Sequence, residues 1–273
     1  MGKMKVALVT GASSGIGYET AKYLAKKDYI VYAGSRTVEK MQSLKAYHAH
    51  IVELDVTDQQ QINTVVNEIV KKEGKIDVLV NSAGYGSLGA VEDIELDEAR
   101  KQFEVNLFGL SEMIKAVLPT MRAQRSGTIV NVSSISGRLP SYFGAWYNAS
   151  KHALEGYSSS LRLELEEFGI KVVVIQPGSI NTNWGLIAAD NLTKVSQGSA
   201  YQKKSAVIAD MLRTQFNSNQ LPQPSVVAKR IVKTVEHQHI RQRFIVGKFA
   251  KCLVFVNKIL PSKLYNWIIQ RSM

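Results

Sequence analysis

The chain has 273 residues, of which 45% are hydrophobic and 21% are charged, so it can bury one large core and does not have the composition of a disordered protein. Lys and Arg exceed Asp and Glu by 34 − 23 = 11, which suits a phosphorylated cofactor, nucleic acid, an acidic membrane surface or simply a solvated basic surface. Cys252 is the only cysteine, so an internal disulfide is excluded. No apolar run reaches the roughly 18 residues of a membrane span. Since residues 5–10 already resemble a strand, we expect no secretory leader and a cytoplasmic protein.

Short apolar runs alternate with segments of helical periodicity. The predicted strands are Val6–Thr10, Ile30–Gly34, Ile51–Leu54, Val78–Val80, Thr128–Val132, Val172–Ile175 and Phe244–Val246. The predicted helices are Ile16–Lys26, Glu39–Ala46, Gln59–Lys72, Asp97–Gln124 and Ala145–Phe168, with helical patches at 201–216 and 225–239. Several strands lack a polar face, which is typical of a parallel sheet covered by helices on both sides. The alternation predicts one α/β domain over residues 1–273 with a doubly wound, mostly parallel sheet.

The pattern weakens after Pro177. Residues 178–200 are rich in Ser, Asn, Thr and Gly and resemble a long loop, and we assign 178–220 as a substrate lid region. The segment 249–273 forms an amphipathic, basic tail, which we expect to pack on its own domain or a neighbouring subunit; contact with a membrane surface is the less favoured alternative. His237 and His239 have no partners at metal-ligand spacing, and we expect surface residues near a helix end.

A glycine-rich turn follows the first strand and opens the first helix, over Thr10–Gly17. Gly11 permits a tight turn, Gly15 allows close approach of a pyrophosphate, and Gly17 allows the helix to pack against the strand. The free amides at the helix start attract an anion. The sequence therefore predicts a dinucleotide-binding loop, in which Ser13, Ser14 and Ile16 accompany the glycines.

The end of the second strand bears on the choice of cofactor. NAD-preferring proteins of this type usually carry an acid there, to bind the ribose 2′-hydroxyl, whereas this chain has Ser35 and then Arg36. A guanidinium pairs well with a 2′-phosphate. We therefore expect NADP(H) to be preferred, with NAD(H) possible; the alternative is that Arg36 is only a surface residue.

Tyr147 and Lys151 lie four residues apart in a predicted helix and so share one face. A free phenol has a pKa of about 10, and a nearby ammonium favours the phenolate and lowers that pKa. Ser134 follows a buried strand at the carboxyl edge of the predicted sheet, where open α/β proteins bind ligands. The three side chains predict a site that moves a proton to or from a substrate oxygen.

Taken together, these motifs resemble the classical short-chain dehydrogenase/reductase family. The matching pieces are Thr10–Gly17, Leu54-Asp55-Val56, Asn81-Ser82-Ala83-Gly84, Asn106, Ser134, Tyr147-x-x-x-Lys151 and Pro177-Gly178-x-x-x-Thr182. The resemblance implies a single-domain Rossmann fold with a seven-stranded sheet in the order 3-2-1-4-5-6-7, and a homodimer or homotetramer. Gly84-Tyr85-Gly86, Phe103–Gly109 and the basic tail are most similar to the 17β-hydroxysteroid-dehydrogenase-like branch.

The resemblance also implies roles for single residues. Tyr147 would be the general acid in reduction and the base in oxidation. Lys151 would lower the pKa of that phenol and hold the nicotinamide ribose. Ser134 would orient the substrate oxygen. Asn106 would support a water that relays protons to Lys151, unless it is only a buried amide bonded locally.

Further positions would bind the cofactor by the same resemblance. Asp55 and Val56 would meet the adenine, and Asn81, Ala83 and Gly84 would line the central cleft. Pro177, Gly178, Ile180 and Thr182 would hold the nicotinamide carboxamide. The family commonly has Asn where this chain has Ser82, a small departure.

Substrate identity is weakly determined by the sequence. An apolar pocket for a hydrophobic carbonyl compound is expected from residues beside the catalytic motifs: Tyr85, Leu88, Leu139, Tyr142, Phe143, Trp146 and Trp184. Each of these side chains is equally well explained as core or subunit packing. Two other functions stay open, a non-catalytic NADP-sensing regulator and a nucleic-acid-binding protein. The intact Ser, Tyr and Lys set speaks against the first, and the lack of any recognisable nucleic-acid module speaks against the second.

Overall fold

The computed structural model describes residues 4–237 and 241–261, together with Lys263, Leu264, Trp267 and Arg271. Its strands are β1 Val6–Thr10, β2 Ile30–Ser35, β3 His50–Glu53, β4 Val78–Asn81, β5 Gly127–Val132, β6 Ile170–Pro177 and β7 Arg243–Val246. Its α-helices are α1 Gly15–Ala25, α2 Gln59–Glu73, α3 Leu96–Phe103, α4 Leu110–Gln124, α5 Ala145–Leu165, α6 Trp184–Val195, α7 Gln202–Asn217, α8 Pro224–Glu236 and α9 Ala250–Ile259.

The sheet has the predicted order β3-β2-β1-β4-β5-β6-β7, and all six strand pairs are parallel. The strand order reverses direction between β1 and β4, which leaves a crevice at the carboxyl ends of these two strands. The expected doubly wound Rossmann architecture is therefore confirmed.

Two apolar layers cover the sheet. In β1, Leu8 faces the layer built with α2, α4 and α5, whereas Ala7 and Val9 face the layer built with α1 and α8. Both faces of the strand are buried, which explains why the strands have no polar side. None of the helices in the described part of the chain is long and apolar enough to cross a membrane.

The long helix predicted over Asp97–Gln124 is wrong in one respect, because it is divided into three parts. A π-helical segment, Glu104–Gly109, lies between α3 and α4. A Cβ on Gly109 would lie 2.4 Å from the carbonyl oxygen of Val56, so the helix backbone passes directly against the loop after β3. That contact is tertiary, and helical periodicity alone does not reveal it. Likewise, the segment predicted as a helix at 39–46 is a 3₁₀ helix over Val38–Tyr47.

The loop predicted over 178–200 is also wrong, because most of it is helix α6. This helix buries Gly185, Ala188, Ala189 and Leu192, a small-residue stripe at helical spacing. A Cβ on Gly185 would lie 2.3 Å from the ring of Phe216 in α7, so the two helices pack closely. The apolar residues Leu186 and Ile187 on the other side of the helix and the polar pair Asp190-Asn191 obscured this pattern in the sequence.

Candidate functional site

A cleft of about 560 Å³ opens at the carboxyl edge of the sheet. Its walls are the segments that follow β1, β2, β3, β4, β5 and β6, together with helices α6 and α7. One cleft thus brings together segments from residue 11 to residue 216. The motifs are far apart in the chain. They lie close together in space because each follows a parallel strand, and parallel strands all end at the same edge of the sheet.

The glycine positions in the turn after β1 have little or no room for a side chain. Gly11 has φ +67°, and a Cβ there would lie 2.7 Å from the backbone nitrogen of Ala83. Gly15 also has a positive φ, +56°, and a Cβ on Gly17 would lie 2.3 Å from the carbonyl oxygen of Gly11. This open cradle at the start of α1 fits a pyrophosphate, because backbone amides can approach the anion without steric hindrance.

The turn is tied to the neighbouring strand by Thr10. Its hydroxyl oxygen accepts hydrogen bonds of 3.1 Å from the backbone N–H groups of both Ser82 and Ala83. The Ala12 N–H donates to the carbonyl oxygen of Gly34, also at 3.1 Å. These bonds fix the relative positions of the loops after β1, β2 and β4.

Arg36 lies at the open end of the cleft, with 70% of its side chain exposed. Its Nη1 atom is 3.9 Å from Oδ2 of Asp55, a loose ion pair at the surface. The other carboxylate oxygen of Asp55 accepts hydrogen bonds from the N–H and hydroxyl of Thr57. The guanidinium therefore keeps donors free to bind an anionic group at this end.

Tyr147, Lys151 and Ser134 converge on the cleft, as the sequence predicted. The ammonium of Lys151 is 5.9 Å from the centre of the Tyr147 ring and donates a 3.1 Å hydrogen bond to the carbonyl oxygen of Val132. Ser134 caps a 3₁₀ turn, its hydroxyl accepting from the N–H of Ser136 at 3.0 Å. Helix α5 thus holds the phenol and the ammonium on one face, and the turn after β5 brings the hydroxyl to them.

Burial shifts both titrating groups of the cluster. It raises the pKa of the Tyr147 phenol to about 12, and a hydrogen bond with Ser134 offsets part of that rise. Burial also lowers the pKa of Lys151 to about 8, while the nearby carboxylate of Glu155 acts in the opposite direction. Burial of the phenol thus dominates its pKa, and the expected lowering of that pKa by Lys151 stays a prediction.

Asn106 lies in the π-helical segment and does not line the cleft. Its Oδ1 accepts from the N–H of Tyr85 at 3.1 Å, and its Nδ2 donates to the carbonyl oxygen of Tyr85 at 2.9 Å and to Ser150 at 3.1 Å. A Cβ on Gly84 would lie 3.0 Å from this Oδ1 and 3.8 Å from Nζ of Lys151. The amide thus holds the loop after β4 against α5, directly beside the lysine.

Most predicted site residues line the cleft. They are Gly11, Ser13, Ser14, Gly15, Ile16, Gly17, Arg36, Asp55, Val56, Ala83, Gly84, Ser134, Tyr147, Lys151, Pro177, Gly178, Ile180 and Thr182. Asn81 lies behind this lining, buried, and donates a 3.0 Å hydrogen bond to Oδ1 of Asn131 in the next strand. Sequence reasoning missed other lining residues, among them Leu212, Gln215 and Phe216 of α7, because no local motif marks a helix that is brought to the cleft by packing.

The apolar wall of the cleft differs from the one expected. Trp184 lies with its ring centre 5.1 Å from that of Tyr147, and Ile187, Leu212 and Phe216 extend the wall. Of the seven predicted pocket residues, Tyr85 and Trp184 line the cleft. The others do not: Leu88, Tyr142 and Phe143 pack in an apolar cluster with α6 and α7, Leu139 is buried, and Trp146 packs edge-on against Phe103.

Within the part of the chain that the structure describes, no group of three His, Cys, Asp or Glu side chains is placed to hold a metal ion. His237 follows the last residue of α8 and is exposed, as predicted. His239 lies outside the described residues.

Known proteins resemble this chain over most of its length. The sequence model of the short chain dehydrogenase family matches residues 5–189. A probable short-chain type dehydrogenase/reductase, VdlC, of Helicobacter pylori is 37% identical over 263 residues, covering 96% of this chain and 95% of the relative.

Solved structures agree with this likeness. A short-chain dehydrogenase from Streptomyces avermitilis superposes with a TM-score of 0.82 and 31% identity, covering 100% of this chain and 99% of that chain. A variant of actinorhodin polyketide ketoreductase with NADPH gives a TM-score of 0.77 and 30% identity, covering 90% and 97%.

Proposed function

Because the chain belongs to the short-chain dehydrogenase/reductase family, and so to the NAD(P)-dependent oxidoreductases, we propose that it transfers a hydride between NADP(H) and a carbonyl or secondary alcohol carbon of a hydrophobic small molecule. The observation that carries this proposal is the convergence of Ser134, Tyr147 and Lys151 in the cleft that also contains the open glycine turn. A dinucleotide on that turn would extend along the strand ends toward the three side chains.

The preference for NADP(H) rests on the open end of the cleft. The exposed guanidinium of Arg36 suits a 2′-phosphate, and its loose pair with Asp55 leaves donors for that anion. The polyketide ketoreductase similar to this chain is a complex with NADPH, which agrees with this choice. NAD(H) is the less favoured cofactor.

The proposed cofactor-binding residues follow from their positions. They are Gly11, Ser13, Ser14, Gly15, Ile16, Gly17 and Arg36 at the first two strand ends, Asp55 and Val56 after β3, Ala83 and Gly84 after β4, Tyr147 and Lys151 of α5, and Pro177, Gly178, Ile180 and Thr182 after β6. Asn81 would act through the strand behind this lining.

The cofactor supplies the hydride chemistry, and the protein contributes placement and proton transfer. In reduction, the Tyr147 hydroxyl donates its proton to the substrate oxygen as negative charge develops there. The Ser134 hydroxyl donates a hydrogen bond to the same oxygen. The Lys151 ammonium donates to the ribose hydroxyls, and Asn106 positions the loop beside it. Oxidation runs through the same groups, with Tyr147 as the base.

A hydrophobic substrate is favoured by the wall opposite the glycine turn. Trp184, Ile187, Leu212 and Phe216 present apolar surface next to Tyr147. The related polyketide ketoreductase acts, by its name, on a ketone, which agrees with reduction of a carbonyl group. A cytoplasmic location and a homodimer or homotetramer stay predictions.

The test is an assay with a panel of apolar ketones and aldehydes, using NADPH or NADH and following the nicotinamide absorbance. We expect turnover of apolar carbonyl compounds with NADPH favoured. Faster turnover with NADH would contradict the assignment of Arg36. NADPH binding without turnover of any compound would support a non-catalytic NADP-sensing regulator, which the convergent Ser, Tyr and Lys set makes the weaker candidate.

A further inference from the structure

Helix α9 presents an apolar side that the rest of the described chain leaves uncovered. Ala250 is the buried residue of this helix. Leu253, Phe255 and Ile259 are 45%, 62% and 59% exposed, and Phe249 just before the helix is exposed as well. Large apolar side chains grouped in this way mark a surface that binds another body rather than water.

The helical period places Phe255 and Ile259 on one side of α9, whereas Leu253 lies about 120° from Ile259 and within about 60° of the buried Ala250. At about 100° per residue, Ile259 lies opposite Ala250, and Phe255, Cys252 and Val256 lie within about 60° of Ile259. Lys251 and Lys258 lie next to each other along one edge of this apolar side. Both lysines are exposed, so their ammonium groups are available to a partner.

The charge of the whole segment has one sign. No acidic residue follows Glu236 in the sequence, whereas seven cations do: Arg241, Arg243, Lys248, Lys251, Lys258, Lys263 and Arg271. Some of them accompany exposed aromatic rings. The ammonium of Lys248 is 5.3 Å from the ring centre of Phe249, and the guanidinium of Arg271 is 4.4 Å from that of Trp267. Apolar side chains bordered by cations without anions are typical of segments that lie in a membrane interface.

We propose that this tail surface docks on an anionic phospholipid bilayer. The tail surface comprises the exposed apolar residues Phe249, Phe255 and Ile259 and the cations Lys248, Lys251 and Lys258; the exposed residues Leu264 and Trp267 and the cations Lys263 and Arg271 follow it in the chain. The apolar side chains enter the boundary between headgroups and acyl chains, and the cations bind the lipid phosphates. Pairing with a second copy across a two-fold axis is disfavoured, because it would bring these like charges together.

Docking by α9 places the cleft beside the bilayer. The helix begins against a cleft residue, since a Cβ on Gly178 would lie 2.9 Å from Cβ of Ala250. Ile187 of α6 lines the cleft and is itself largely exposed. A hydrophobic substrate dissolved in the membrane would therefore have a short path to the site. Membrane docking itself does not depend on the proposed function, because its readout is binding and not turnover.

The test is co-sedimentation of the full chain with vesicles of phosphatidylcholine alone or of phosphatidylcholine mixed with phosphatidylglycerol. We expect the protein to sediment with the anionic vesicles and to be released by added salt, since screening weakens the attraction. Lys251→Glu combined with Lys258→Glu should lower the partition coefficient about 25-fold or more, because each cation near such a surface contributes about fivefold.

A matched pair of variants tests the apolar side. Ile259→Glu should weaken sedimentation, whereas Leu96→Glu introduces the same charge at a similarly exposed aliphatic residue (59% and 50%) on α3 and should have no effect. Circular dichroism confirms that both variants are folded. Absence of sedimentation with anionic vesicles, or equal losses in both variants, overturns the proposal. A dimer in analytical ultracentrifugation that Ile259→Glu dissociates would instead assign α9 to contact between copies.

Discussion

At the scale of single residues, the buried phenol of Tyr147 is the group that we propose exchanges a proton with the substrate oxygen. With its pKa raised to about 12, the hydroxyl keeps its proton throughout the physiological range. A protonated phenol can donate to a carbonyl oxygen at once, whereas alcohol oxidation must first remove that proton. The phenol is thus in the protonation state that the proposed reduction requires.

Replacement of Tyr147 by Phe tests this role. The variant keeps the ring beside Trp184 but lacks the donor, so kcat for ketone reduction should fall by about 10²–10⁴. NADPH binding, measured by nicotinamide fluorescence, should change little. Tyr142→Phe is the control, because Tyr142 packs in the apolar cluster with α6 and α7 and does not line the cleft. Retention of most of the activity in Tyr147→Phe would assign proton transfer to another group.

Lys151 should set the alkaline limit of reduction. A lysine carries its charge below its pKa and loses it above, so a pKa of about 8 means that the ammonium disappears as the pH rises through about 8. The value of kcat/KM for reduction should decline over the same range, because a neutral amine holds the ribose hydroxyls less strongly. In Lys151→Arg, residual activity should show no such decline, since a guanidinium stays charged. A flat profile in the unmodified protein would contradict this reasoning.

At the scale of elements, the turn between β1 and α1 combines two constraints, a left-handed backbone and a close approach to Ala83. These constraints can be separated experimentally, because Gly74 at the end of α2 has φ +73° and nothing within 4 Å of an added Cβ. Gly74 carries the conformational constraint alone, whereas Gly11 carries both.

Gly11→Ala should therefore abolish NADPH binding and lower the free energy of unfolding by more than Gly74→Ala does. Gly74→Ala should cost about 1–2 kcal/mol from its left-handed backbone and leave binding intact. Urea unfolding measures the stability of both variants, and NADPH fluorescence measures the binding. Normal NADPH affinity in Gly11→Ala would show that this turn does not cradle the cofactor.

The contact between α6 and α7 should govern substrate affinity. In Gly185→Ala, the new methyl group meets the Phe216 ring and separates the two helices that form the apolar wall. We expect KM for apolar ketones to rise several-fold with little change in NADPH binding. Gly156→Ala in α5 adds a methyl group with nothing within 4 Å and serves as control. Unchanged KM in Gly185→Ala would mean that the lid does not contact substrate.

At the scale of the whole molecule, the cleft joins segments from both halves of the sheet, so a bound dinucleotide should stabilise the entire fold. A ligand at 100 times its Kd adds about 2.7 kcal/mol to the free energy of unfolding. NADPH should therefore raise Tm more than NADH at equal concentration, and Arg36→Ala should remove the difference. Arg122→Ala, in α4 and away from the cleft, should leave it unchanged. Equal stabilisation of the unmodified protein by both cofactors would contradict the preference for NADP(H).

The sequence by itself determined the strand and helix alternation, the glycine turn, and the membership of Ser134, Tyr147 and Lys151 in one site, because each depends on local periodicity or fixed spacing. Only the tertiary structure decided which apolar residues line the cleft, where the helix at 97–124 is interrupted, and that Asn106 is bonded to the Tyr85 backbone. It also decided the sign of the Tyr147 pKa shift, because desolvation depends on everything packed around the phenol and not on its neighbours in the chain. The spacing of residues in the sequence indicates which side chains share a face of one helix or strand, whereas the burial of a side chain depends on the assembled fold.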